Sequence, residues 1–597
     1  MRPELLPGLI ILIPFLAAAF IRFPRLSEYR VLLDNISIAA AASMTVVAGI
    51  ACFYSMETPI IHWVGGWEPR DGVVVGISLV ADTISTGFIF LAGVLTTAGL
   101  LFMFKRYHTM GSFMHILTLV FLGAFAGFVL AGDLITMFVF LELMGICSYI
   151  LTAFKVEDEA PIQAGFNIAV VATVGAFIFL LGVTMMYGLT DTPNIAEAAN
   201  RLSDVPASPS LAVAVALMIT GLAVKTGLFP FHFAHADSHS VAPAPHAGLF
   251  GAILMQAALY GIARLGSILL DAPIINMEAF QQLLITAGVL TALVGAFMSI
   301  AQNHLKRLLA FSSVAHIGIA AIGVGILNTE GLAGAGLYIT GHAAVKMSLF
   351  LAAGVLLHRF SSVHAGKLAG LGKKARVLPL LLITGALALA GVPPSGLYGG
   401  KVLIELGLNE IGLGWLIYII YLSAALTGAA VIRFAIRIMR KKEPGMEEDP
   451  VYVHEKSLET NKKGGVIYMT SIPAVLLAAG ICITLFPVLT SGIERAVSSD
   501  FDSSQYVELI LHGERETAGK ITAREFWGLG NLAKGLTSAL FAIIAGVILA
   551  FPRFDASRVT RGPLGLIRNL HSGHVGDYVT WLMLGAALIA SWFMWYI

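Results

Sequence analysis

Long apolar stretches alternate with short polar ones from end to end, and the length of the apolar stretches decides the class of the protein. A helix rises about 1.5 Å per residue and the hydrocarbon core of a bilayer is about 30 Å thick, so one span needs about 20 mostly apolar residues. Stretches of that kind fall near residues 5–20, 31–54, 79–104, 112–131 and 134–154, then near 162–188, 211–231, 245–270, 280–301, 305–327 and 331–358. The last five lie near 377–408, 412–439, 466–489, 532–551 and 578–597. They predict an all-α polytopic membrane protein with about 16 transmembrane helices. The first stretch leads into an Arg-bearing loop with no convincing cleavage site, so it reads as a span and not as a signal peptide.

Two spans are interrupted in the same way. Between Gly221 and Arg264 an apolar helix carrying Lys225 breaks near Pro230, and a polar run with His232, His235, Asp237 and His239 follows before apolar sequence resumes after Pro243 and Pro245. In the 377–408 stretch, Pro393, Pro394 and Gly396 break the helix ahead of Lys401 and Glu405. Discontinuous, ion-bearing helices in corresponding places are the mark of inverted repeats, with sites near the bilayer midplane at the breaks. An offset of five helices inverts the second copy. The expected division is residues 1–111 as N-terminal transmembrane helices, 112–275 as the first inverted five-helix repeat and 276–440 as the second. Residues 441–597 then hold the C-terminal helices and a polar extramembrane segment at 491–531, which reads as a solvated cap or docking surface.

Ionisable groups are rare and costly in a hydrocarbon layer, so those inside the spans are the candidate functional residues. Besides Lys225 and Lys401 they include Glu142 in FLELMGICSYIL, His316 in SSVAHIG, and His342 with Lys346, which share a helix face at i,i+4. The alternatives are a snorkelling Lys225, hydrogen-bonded core histidines, and a Lys401 that merely pairs with Glu405 one turn on.

Composition then narrows the function. With 57% hydrophobic and 12% charged residues the chain is outside the range of soluble globular proteins, and a net charge of +1 gives nucleic acid nothing to bind. Cys52, Cys147 and Cys482 lie far apart, and no nucleotide-binding glycine pattern occurs in a strand-to-helix context. No cofactor and no bound metal are expected, and any redox centre belongs on another subunit. Basic residues collect in cytoplasmic loops. Here they fall at Arg22–Arg25–Arg30, Lys105–Arg106, Lys306–Arg307, 359–376, 433–463 and 553–568, which puts both termini outside.

The stretches GDLITMFVFLELMGICSYIL, AVKTGLFPFHFAHADSHSVAPAP, QNHLKRLLAFSSVAHIG, GHAAVKMSLFLAAGVLLH and GVPPSGLYGGK together resemble the antiporter-like subunits shared by respiratory complex I, membrane-bound hydrogenases and Mrp cation/proton antiporters. The wording around Gly132 and Gly396 leans to the Mrp and hydrogenase-type branches. The resemblance implies a proton- or cation/proton-translocating subunit of a multisubunit complex in the inner (cytoplasmic) membrane. Its partners would be other membrane subunits, protons, and Na+ or another monovalent cation. It also implies that Glu142 pairs with Lys225, that Lys346 is a central relay, that Lys401 is the terminal Lys, and that His232, His316 and His342 bridge between them. Relatives place a further Lys where this chain has Gln256, and an Asp where it has His304. A structural subunit with a decayed ion pathway and a redox enzyme subunit are the alternative functions.

Overall fold

The computed structural model describes residues 3–23, 29–69, 74, 76–104, 111–206, 208–268, 276–375, 377–440, 466–512, 526–551 and 573–595. Arg25, Arg70, Lys105, Arg106, most of the 433–463 basic run, all of the 553–568 run, and Glu514 and Glu516 lie outside these residues. The N-terminal helices are α1 (Leu6–Ile21) and α2 (Arg30–Ser55). A hairpin of β1 (Ile60–Trp63) and β2 (Ser78–Ala81) follows, antiparallel with Ile60 opposite Ala81. Next come α3 (Thr83–Met103), α4 (Gly111–Leu130), α5 (Leu134–Thr152), α6 (Glu159–Thr190), the short α7 (Ile195–Leu202) and α8 (Pro209–Thr226). Beyond the first break lie α9 (Phe233–Val241), α10 (Ala244–Leu249) and α11 (Met255–Ile268), the last two joined by a π turn at Phe250–Leu254. The second half holds α12 (Met277–Ile300), α13 (Leu305–Gly325), α14 (Thr329–Phe360), α15 (Ala365–Leu368), α16 (Val377–Ala390), α17 (Gly396–Glu410) and α18 (Ile417–Met439). The chain closes with α19 (Val466–Cys482), α20 (Pro487–Asp500), α21 (Ser503–His512), α22 (Leu529–Leu549) and α23 (Val575–Trp595).

Among the described residues fifteen helices are long and apolar enough to cross a membrane, and this is a multi-pass membrane protein. The sixteenth expected span, 377–408, is divided into α16 and α17, of 14 and 15 residues, neither of which crosses alone. Helices α11, α13 and α14 are enclosed by others, whereas α1, α2, α22 and α23 line the periphery. α22 packs on α18, and α23 packs on α8.

Both breaks have the same local cause. Helix α8 ends at Gly227, whose φ of +73° is left-handed, and α16 ends at Gly391 with φ of +81°. A side chain is disfavoured in that region, and the prolines that follow cannot continue a helix. Each break leaves helix-terminal carbonyls without an intrahelical partner.

Two expectations from charge patterning differ from the structure. Lys306, counted among the loop cations, is fully buried at the start of α13. In the 491–531 segment Glu494 and Asp500 are also buried, because Ala496, Val497, Tyr506, Leu509 and Ile510 turn α20 and α21 face down onto the bundle. Arg264 holds that packing: its guanidinium donates to the Asp500 carbonyl at 2.6 Å, to Tyr260, and to the Asp82 carboxylate.

Candidate functional site

Lys225 is on the last turn of α8, 6% exposed, and its ammonium donates to Glu142 Oε1 at 2.6 Å and to the Tyr149 hydroxyl at 2.9 Å. Glu142 and Tyr149 come from one face of α5, seven residues apart. The pair is inside the protein, so its attraction is little screened. Beside it is a small cavity lined by Lys225, Tyr149, Ser148, His235, Ser238 and His239, with room for about one water. His235 bonds the Val224 carbonyl at 2.8 Å in the last turn of α8, and Ser238 bonds Thr152 at 2.7 Å. The two ring nitrogens of His239 have no hydrogen-bond partner among the described residues.

From there the polar groups continue into the enclosed centre. Lys346 lies within electrostatic range of His239, His316 and His342. Its ammonium donates to the Leu309 carbonyl at 3.1 Å and to the Ser312 hydroxyl, and among the described residues no carboxylate pairs with it. The Gln256 amide donates to the Gly251 carbonyl, freed at the π turn, and meets His342 Nδ1, both at 3.1 Å. The His342 ring is 5.0 Å from that of His316, which bonds Tyr338 at 2.5 Å through Nδ1 and Thr427 at 3.0 Å through Nε2. Lys401 ends the row: it donates to the Ala390 carbonyl at 2.8 Å, at the second break, and lies 4.2 Å from the Tyr421 ring centre.

A model of the family described as NADH:quinone oxidoreductase/Mrp antiporter, TM, matches residues 131–427, which hold every residue of this row. The NADH-quinone oxidoreductase subunit N of Desulforudis audaxviator (strain MP104C) is 30% identical over 438 residues, covering 72% of this chain and 85% of that protein. This chain belongs to that family. A Na(+)/H(+) antiporter subunit of Bacillus subtilis (strain 168) is 27% identical, over 84% of this chain and 98% of its own. Among solved structures, a chain of the membrane-bound sulfane sulfur reductase, an archaeal respiratory membrane complex, superposes with a TM-score of 0.72 at 26% identity, over 85% of this chain and 99% of its own. A chain of the Mrp complex from Dietzia sp. DQ12-45-1b shares the fold, with a TM-score of 0.73 at 22% identity over 86% of this chain and 100% of its own.

Within this family member the expected site residues fall into two groups. Glu142, Lys225, Lys346, His342, His316 and Lys401 lie along one buried row. His232 does not line the cavity beside Lys225; it packs against Phe229 and Phe233, with ring centres 5.8 and 4.0 Å away. Tyr149 and His239 are outside the expected set, although both line the cavity. A Tyr two turns from Glu142 on an apolar helix reads as core packing, whereas His239 is in plain view in the polar run. Among the described residues no cluster of three or more His, Cys, Asp or Glu could hold a metal ion. Lys401 and Glu405 do not pair, since Glu405 binds Lys534 on α22. His304 takes the capping role of an Asp, with Nδ1 accepting from the Arg307 amide at 3.4 Å at the N-terminus of α13.

Proposed function

We propose that this chain is the proton- or cation/proton-translocating subunit of a multisubunit membrane complex of the Mrp or respiratory type, and that protons pass along Glu142, Lys225, His239, Lys346, His342, His316 and Lys401. The observation that carries the reading is the Lys225–Glu142 ion pair at a broken helix, facing a cavity shared with His239. A buried ion pair is weak evidence for stability, because desolvation offsets most of its attraction. Placed beside an imidazole that has no hydrogen-bond partner among the described residues, it is well suited to a different task. When Glu142 and Lys225 separate, an ammonium proton can enter the cavity and reach His239 through one water. Further on, the His342 and His316 rings lie 5.0 Å apart, and Gln256 keeps His342 oriented in place of a charged relay.

Partner subunits follow from the names of the relatives, which are subunits of quinone oxidoreductases and antiporters. Residues 112–275 and 276–440 are read as inverted copies, supported by a left-handed glycine, a proline and a buried Lys at both breaks, with Lys225 ahead of the first break and Lys401 beyond the second. The distribution of basic residues supports a cytoplasmic-membrane location with both termini outside. The test uses vesicles containing the intact complex. Lys225→Ala and Lys346→Ala should each abolish proton or cation transport while the complex still assembles; unimpaired transport in Lys225→Ala would remove the basis of the proposal.

A further inference from the structure

Helix α22 is peripheral, yet it reaches the last buried Lys of the row. Ser538 donates to the Ala390 carbonyl at 2.8 Å, the same oxygen that accepts from Lys401. One turn before it, Lys534 forms an ion pair with Glu405, which is one turn beyond Lys401 on α17. Exposure rises in order along this path: Lys401 is fully buried, the Glu405 side chain is 13% exposed and the Lys534 side chain is 42% exposed. Two buried atoms along it, Glu405 Oε2 and the Tyr421 hydroxyl, have no hydrogen-bond partner among the described residues. Such polar atoms are where a bridging water gains most. The direction is also defined. The far end of α22 offers the Leu549 and Ala550 carbonyls to Arg437 and Arg440 on the basic side of the bundle. Lys534 is therefore near the opposite face.

We propose that Glu405 and Lys534 form the outlet of the relay, an inference that rests on the translocation reading above. The Lys401 ammonium loses a proton to the Glu405 carboxylate, through a water at the Tyr421 hydroxyl, leaving a neutral amine and a carboxylic acid. Neutral Glu405 no longer holds the Lys534 ammonium, so that side chain swings to the membrane surface, as a long cationic side chain can. Glu405 then gives its proton to water outside. The restored carboxylate recaptures Lys534, which closes the path against return flow. The Lys534 side of the pair is 42% exposed, so water can screen that ammonium and replace the carboxylate when the pair opens.

The experiment compares four variants of the intact complex in vesicles, each checked for assembly. Glu405→Gln, which keeps a hydrogen bond to Lys534 but cannot cycle a proton, should slow driven transport by at least about a hundredfold, the low end for loss of a proton-transfer group. Glu405→Asp should recover most of that loss, which a purely structural contact would not require. Lys534→Gln, which removes the cation that closes the path, should collapse an imposed pH gradient faster than wild type in undriven vesicles. Lys401→Ala is the control for the relay itself. If it abolishes transport while Glu405→Gln runs at the wild-type rate, the outlet is wrong and the relay stands; if it transports normally, the relay through Lys401 is wrong. Should Glu405→Gln fail to assemble, the Lys534→Gln leak decides, and a wild-type leak rate overturns the outlet.

Discussion

Glu142→Gln removes one charge from the Lys225 pair and little else, because the amide is the same size and Tyr149 remains as a hydrogen-bond acceptor. At the observed 2.6 Å, two unit charges attract by about 6 kcal/mol with an effective dielectric near 20. Most of that is offset by the desolvation that both groups already bear. Breaking such a pair from one side costs about 3–5 kcal/mol, because the surviving charge is left without a counter-ion. Lys225→Met leaves the Glu142 carboxylate in the same position. Its cost should fall at the lower end, since the Glu142 side chain is 16% exposed and can draw in some water. The double variant leaves no orphan charge. Its loss should therefore be smaller than the sum of the two single losses by at least about 2 kcal/mol, within the range for coupled neighbours. Graded unfolding of the purified protein in mixed SDS–detergent micelles gives all three values. Additive single losses would show that the two groups do not interact in the folded protein.

A methyl group added at Gly145 would lie 2.7 Å from the Tyr149 hydroxyl and 2.9 Å from the Lys225 ammonium, so Gly145→Ala should displace one of them. Vesicle transport should then fall by about ten- to a hundredfold, as for other small misplacements of reacting groups, with assembly intact. Gln256→Leu removes the amide that meets His342 Nδ1 and should cost about 1–3 kcal/mol for a buried polar atom left unsatisfied. Detergent unfolding reads that loss, and transport should slow in parallel. His304→Ala removes the cap of α13 and should cost about 1 kcal/mol, while His304→Asp should be neutral or stabilising, as measured by the same unfolding assay.

The parts of the fold legible in the sequence were those set by local chemistry. Apolar run length located fifteen spans, charge in hydrocarbon singled out Lys225 and Glu142, and the family resemblance implied their pairing before any distance was known. The positions missed depended on what came from elsewhere in the chain. The i,i+4 spacing of Lys401 and Glu405 offered a local ion pair. Instead, the break at Gly391 presents the Ala390 carbonyl to Lys401, and Glu405 is taken by Lys534, 129 residues away. His232 and His239 share one polar run, and only the turn after Pro230 decides that the first meets phenylalanines and the second meets the cavity. The acids at 494 and 500 looked solvated because their charge is visible in sequence, while the apolar face that carries them inward is spread over two short helices.

Transport by the intact complex carrying Lys225→Arg is the most direct test of whether Lys225 moves a proton or only holds a charge. Arginine keeps the positive charge and can still pair with Glu142, but its guanidinium does not give up a proton at accessible pH. In vesicles containing equal amounts of assembled complex, Lys225→Arg should transport no faster than Lys225→Ala. Transport at the wild-type rate in Lys225→Arg would mean that charge alone is enough, and would contradict a proton path through Lys225.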